Sequence, residues 1–145
     1  MMEEKLTKLQ SFNAMRKFLE IYYKQTSSDD FGTLLSDTQF LSDCGTADPA
    51  AWYDWINSVN SVITTEEKLT KQQAYNATIK FLEVFYERTK SDAVRVLLNE
   101  MDFLADGRLA HPAVLNYWNK CVEATLKEPE DHKEYLTFVS TDKKL

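Results

Sequence analysis

The chain has 145 residues, 43% of them hydrophobic and 28% charged, with a net charge of −6. That size holds one medium domain or two small ones. The acidity tells against nucleic acid as a direct partner, since phosphate binding needs a basic patch, and no run of about 18 apolar residues supplies a membrane span.

Three Trp, seven Tyr and eight Phe provide bulky core material, while three Gly and three Pro leave few turns with special backbone angles. Helices joined by short loops fit this composition better than an all-β sandwich. The opening MMEEKLTKLQ is charged and has no apolar h-region, so the expected compartment is the cytoplasm. Cys44 and Cys121 are then expected as reduced thiols.

In chain order, the first predicted helix starts at Thr7. Gln10 stands three residues on, the spacing of a capping box, and Phe12, Met15, Leu19 and Tyr22 recur at helical steps. Ser28 is the expected N-cap of a second helix, followed by Asp29 and Asp30, which suit the helix dipole. Its predicted buried stripe is Phe31, Leu34, Leu35, Thr38 and Leu41. Asp48-Pro49 opens a third helix, with Trp52, Trp55, Ile56 and Val59 on one face, because proline is tolerated at the first helical position.

The same three signals then return. Shifted by 63 residues, Glu3–Val62 aligns with Glu66–Thr125 without a gap, and 27 of 60 positions are identical. Chance identity is roughly one in fifteen to twenty, so the duplication is the most specific signal in the chain. The second set reads Thr70/Gln73 with Tyr75, Leu82, Phe85 and Tyr86. Next comes Ser91 with Val94, Leu97, Leu98, Met101 and Leu104. His111-Pro112 follows, with Leu115, Trp118 and Val122, and His111 is expected to cap. A unit of about sixty residues buries a marginal core alone. The expected fold is therefore all-α: two tandem three-helix repeats, residues 3–63 and 66–126, packed as one pseudo-two-fold domain. Ile63–Lys68 connects them, and a short C-terminal tail spans 127–145, in which Tyr135–Val139 is read as a short strand or packing arm.

No catalytic pattern emerges. His111 and His132 lack metal-ligand spacing to a cysteine or to each other, and glycine-rich phosphate loops, nucleophile elbows and H-E-x-x-H are absent. The paired carboxylates lack the inward Glu and Glu-x-x-His of helical di-metal sites. The expectation is a non-enzyme without metal or cofactor.

Charge is distributed unevenly. Ser28–Ile63 carries Asp29, Asp30, Asp37, Asp43, Asp48 and Asp54 with no Lys or Arg, whereas Ser91–Leu126 offsets five acids with Arg95, Arg108 and Lys120. Tyr53 and Asp54 are not repeated and sit among aromatics, a composition suited to an interface. Asp29, Asp30, Asp37, Asp43, Tyr53 and Asp54 are accordingly the expected partner-binding residues. Trp55 repeats as Trp118 and is expected in the core.

Leu69–Ala77 with Lys80–Glu83, Ser28–Asp30, Leu34–Asp37, Phe40-Leu41, Asp48–Trp52 and Asp54-Trp55 together form a pattern that resembles small bacterial immunity proteins. Such proteins are encoded beside polymorphic and contact-dependent-inhibition toxins. The likeness spans each repeat and reaches about Thr125. The second repeat departs from it at Arg95, His111 and Asn116-Tyr117, which tells against a second equivalent binding site. The resemblance implies stoichiometric neutralisation of a cognate toxin domain, often a basic nuclease, by an acidic protein. The duplication stands in for an ancestral homodimer, so a monomer is expected when free. The alternative is a helical adaptor or regulatory module with no toxin partner.

Overall fold

The computed structural model describes residues 4–41 and 45–128. Asp43, Cys44, His132 and the tail from 129 onward, including Tyr135–Val139, lie outside the described residues.

The predicted helix starts are realised through their caps. Thr7 and Thr70 each accept from the amide three residues on, while Gln10 and Gln73 accept from the Thr7 and Thr70 amides at 2.8 and 2.9 Å. These boxes open α1 (Lys8–Thr26) and α4 (Lys71–Thr89). Both helices stop at a left-handed residue, Ser27 at φ 54° and Lys90 at φ 55°, an αL turn that lets the cap amide reach a carbonyl of the last turn. Ser28 and Ser91 then cap α2 (Asp29–Asp37) and α5 (Asp92–Met101). Asp48 caps α3 (Pro49–Asn60) by accepting from the Ala50 amide at 3.0 Å. His111 precedes α6 (Pro112–Lys127) but makes no side-chain cap bond, which corrects the expectation. An imidazole is a poor substitute for the short carboxylate at that position.

The fold is all-α apart from four two-residue strands among the described residues. In antiparallel register, β1 (Leu6–Thr7) pairs with β4 (Lys68–Leu69), so Leu6 faces Leu69, its own match in the shifted alignment. Both leucines are fully buried. The pairing of β2 (Phe40–Leu41) with β3 (Gly45–Thr46) forms a small hairpin between α2 and α3. The matching stretch of the second half retains only a bridge between Phe103 and Leu109.

The core is built around two tryptophans. The Trp55 indole Nε1 donates to the Lys8 carbonyl at 3.2 Å, and its ring meets Phe12 at 5.8 Å and Phe81 at 5.7 Å. Trp118 donates to the Lys71 carbonyl at 3.1 Å and meets Tyr75 at 5.9 Å and Phe18 at 5.5 Å. Each indole therefore bonds the first helix of its own half and packs on a phenylalanine of the other half. In this arrangement α3 lies against α4 and α6 against α1.

The C-terminal ends of α2 and α5 are held by different chemistry. In the second half the Tyr75 hydroxyl donates to the Met101 carbonyl at 2.8 Å. Phe12 stands at the matching position and has no hydroxyl. In the first half Arg16 donates instead, to the Leu35 carbonyl and to Thr38 Oγ1, both at 3.0 Å. Burial lowers the Arg16 pKa, partly countered by Glu20.

Two expected core residues are not core. The second-helix stripes were expected to run to Leu41 and Leu104, but α2 ends at Asp37 and α5 at Met101, and Leu104 is 44% exposed. At α2 the Thr38 hydroxyl bonds back to the Leu34 carbonyl at 2.7 Å, and the chain turns into the hairpin. Leu115 is 39% exposed, whereas Trp52 at the matching position reaches Phe12 and Phe40. Leucine lacks that reach. No helix among the described residues is long and apolar enough to cross a membrane.

The double role of Trp55 makes it a stability test. Trp55→Phe removes a buried donor and leaves a gap beside Phe81, at a cost of roughly 1–3 kcal/mol. Urea unfolding followed by circular dichroism should show a lower midpoint with still one transition, because both halves share the residue's contacts.

Candidate protein-binding surface

Two of the expected partner-binding acids are engaged within the protein. Asp30, in the first turn of α2, points at the start of α5. Its Oδ2 accepts from the Ser91 hydroxyl at 2.5 Å, and the Ser91 oxygen in turn accepts from the Val94 amide at 3.2 Å. Asp30 thus completes the cap of a helix in the other half. Asp54, on α3, accepts from both terminal nitrogens of Arg88 on α4, at 2.7 and 3.2 Å. This is a bidentate pair of the geometrically specific kind. Hydrogen bonding to Asp54 and its charge, with a smaller contribution from Asp48, raise the Arg88 pKa further. The matching positions, Gln25 and Tyr117, are joined by a neutral contact of 3.4 Å. Both acids therefore serve contacts between the halves.

Asp29 and Asp37 remain. They line one open cleft between α1 and α2 of about 630 Å³, together with Tyr23, Gly32, Thr33, Leu35 and Ser36. Asp29 is exposed and makes no ion pair among the described residues. Partial burial raises the Asp37 pKa, and the charge of Asp48 adds to this. Asp37 also borders a narrow pocket with Asp48, Asp54 and Arg88. Tyr53 is 73% exposed on α3 and lines neither space. Asp43 falls outside the described residues.

Tyr23, Gly32 and Arg88 were not singled out by sequence reasoning. Arg88 could have been found as an unshared residue, since Gln25 stands opposite it in the alignment. Gly32 is the same kind of signal, with Arg95 in its place. An added Cβ at Gly32 would lie 3.3 Å from Tyr23 Cε1, so the tyrosine ring rests close over the helix backbone there.

Other chemistry finds little footing. Burial pushes the Cys121 thiol up to about 11, so it is protonated at neutral pH and a poor nucleophile. Among the described residues, no group of three or more His, Cys, Asp or Glu is arranged to hold a metal ion.

The raised pKa of Asp37 fixes the sign of a pH effect. A carboxyl whose folded pKa lies above its unfolded value destabilises the fold when ionised. That penalty is absent below the unfolded pKa and grows as pH rises through the folded one. Asp37→Asn should therefore raise the thermal midpoint at pH 7. The gain should shrink on acidification and vanish near about pH 3, below the ordinary carboxylate range. Melting curves of both proteins across pH would check this.

Comparison of the chain with protein-family models, with curated proteins and with solved structures finds no match.

Proposed function

We propose that this chain is an immunity protein that binds a cognate toxin domain, a nuclease, and neutralises it by stoichiometric association. The resemblance of its repeated pattern to immunity proteins motivates the reading. The observation that carries it is the Lys- and Arg-free stretch from Ser28 to Ile63, in which Asp29 and Asp37 line the same open cleft from opposite ends of α2. A nuclease active-site surface must attract phosphate and is therefore basic. An acidic surface competes for it through complementary potential, which raises the association rate and fixes orientation. An acid-rich face serves this purpose without catalytic groups. Of the six expected contact residues, Asp30 and Asp54 bond the other half, whereas Asp29 and Tyr53 are exposed and Asp37 lines the cleft, which supports assigning partner contact to these three.

The test is co-expression with the product of the neighbouring toxin gene, followed by complex formation and protection of cells. Loss of both would defeat the proposal for that pair. If they hold, Asp29→Lys combined with Asp37→Lys should lower the association rate constant about tenfold at low salt and flatten its salt dependence. Dissociation should change far less.

A further inference from the structure

The two halves treat one pair of positions in opposite ways. In the second half, Lys90 Nζ lies over the Tyr86 ring, 5.2 Å from its centroid. Arg95, one turn into α5, sits 3.6 Å from Asp92. Tyr86 and Arg95 both line a groove of about 660 Å³ between α3, α4 and α5. The tyrosine and the aspartate are thus each met by a cation of their own chain. In the first half the tyrosine and aspartate are kept, as Tyr23 and Asp29, but the cations are not. Ser27 stands in place of Lys90 and Gly32 in place of Arg95. Lys24, in the last turn of α1, makes no ion pair among the described residues.

We infer that the α1–α2 cleft is a receptor for an arginine side chain of a basic protein partner, which takes the place that Arg95 fills within the second half. Gly32 supplies no cation of its own, and its missing side chain lets the Tyr23 ring lie close over the helix, where an added Cβ would stand 3.3 Å from Cε1. An incoming aliphatic stem therefore lies along the exposed side of the ring and not in the glycine position. A guanidinium there can stack on Tyr23, which is 41% exposed, as aromatic faces attract cations. It can also bond the Asp29 carboxylate bidentately. Asp37, at the far end of the same helix, is about 12 Å away by helical rise, and so accepts a second basic residue of the partner rather than the same one. The inference rests on the immunity reading for the identity of the partner, but the site itself can be tested without it.

The probe is a capped tetra-arginine peptide, titrated at low salt into the full-length ¹⁵N-labelled chain and followed by NMR. Saturable shifts should centre on the Tyr23, Asp29 and Gly32 amides, with little change at Tyr86 and Asp92. Gly32→Arg should supply the cation from within and weaken peptide binding at least tenfold. Asp29→Asn, an exposed change that leaves the Ser28 cap in place, should weaken it similarly. Lys90→Ser combined with Arg95→Gly should open a second site at Tyr86. Shifts spread evenly over all acidic residues, or wild-type affinity in both Gly32→Arg and Asp29→Asn, would overturn the inference. Peptide binding in the cleft with no complex between the chain and the neighbouring toxin would sustain the site and defeat the immunity reading. A toxin complex untouched by Gly32→Arg and Asp29→Asn would do the reverse.

Discussion

Each half of this chain closes through an indole that serves two masters: the Trp55 nitrogen bonds the carbonyl at the start of α1, while its ring packs on Phe81 of α4. Trp118 does the same with Lys71 and Phe18. A three-helix unit of this size has little interior, and a large aromatic at its centre needs a second surface to be fully covered. The other half provides that surface. Both tryptophans are almost fully buried as a result, and the polar edge of each ring is satisfied, as a buried donor requires. Neither half has a complete core without the other.

This interlocking decides what the charges do. Two acids of the first half, Asp30 and Asp54, are drawn into contacts with the second, one completing the α5 cap and the other gripping Arg88. The Arg88 side chain is more than half exposed, so the pair contributes little stability and fixes geometry instead. The acids outside these contacts are the ones whose field reaches solvent unopposed. Asp29 and Asp37 are of this kind, and the second half has neutralised the equivalent of Asp29 with its own arginine. Divergence between the copies has thus left one cleft anionic and open, and the other internally compensated.

Much of the fold was legible because its signals are local. A Thr with Gln three residues on and a Ser before acids act over one helical turn, as does a Pro after Asp, and all three appeared where the spacing placed them. The failures share a different cause. Leu104 and Leu115 fit the helical period, yet the first lies beyond the end of its helix, and the second is 39% exposed where its match Trp52, a larger side chain, packs on Phe12 and Phe40. The Leu6–Leu69 strand pair and the Asp54–Arg88 bridge join residues far apart in sequence, and periodicity says nothing about such partners. The candidate surface was half legible. Charge counting marks the segment from Ser28 to Ile63, but an acid that faces solvent and one that holds a neighbouring helix look alike in sequence. The comparison between copies separates them, because Gly32 against Arg95 and Gln25 against Arg88 show where one half carries a cation and the other does not.

The central claim is that the first half carries the binding surface and the second supports it. Hydrogen–deuterium exchange of the full chain, alone and with the toxin domain encoded beside it, tests this most directly. The account predicts slowed exchange across residues 23–37, the C-terminal turn of α1 and all of α2, with residues 86–100 unchanged. Slowed exchange confined to residues 86–100, or no change in either segment with the toxin present at saturating concentration, would contradict it.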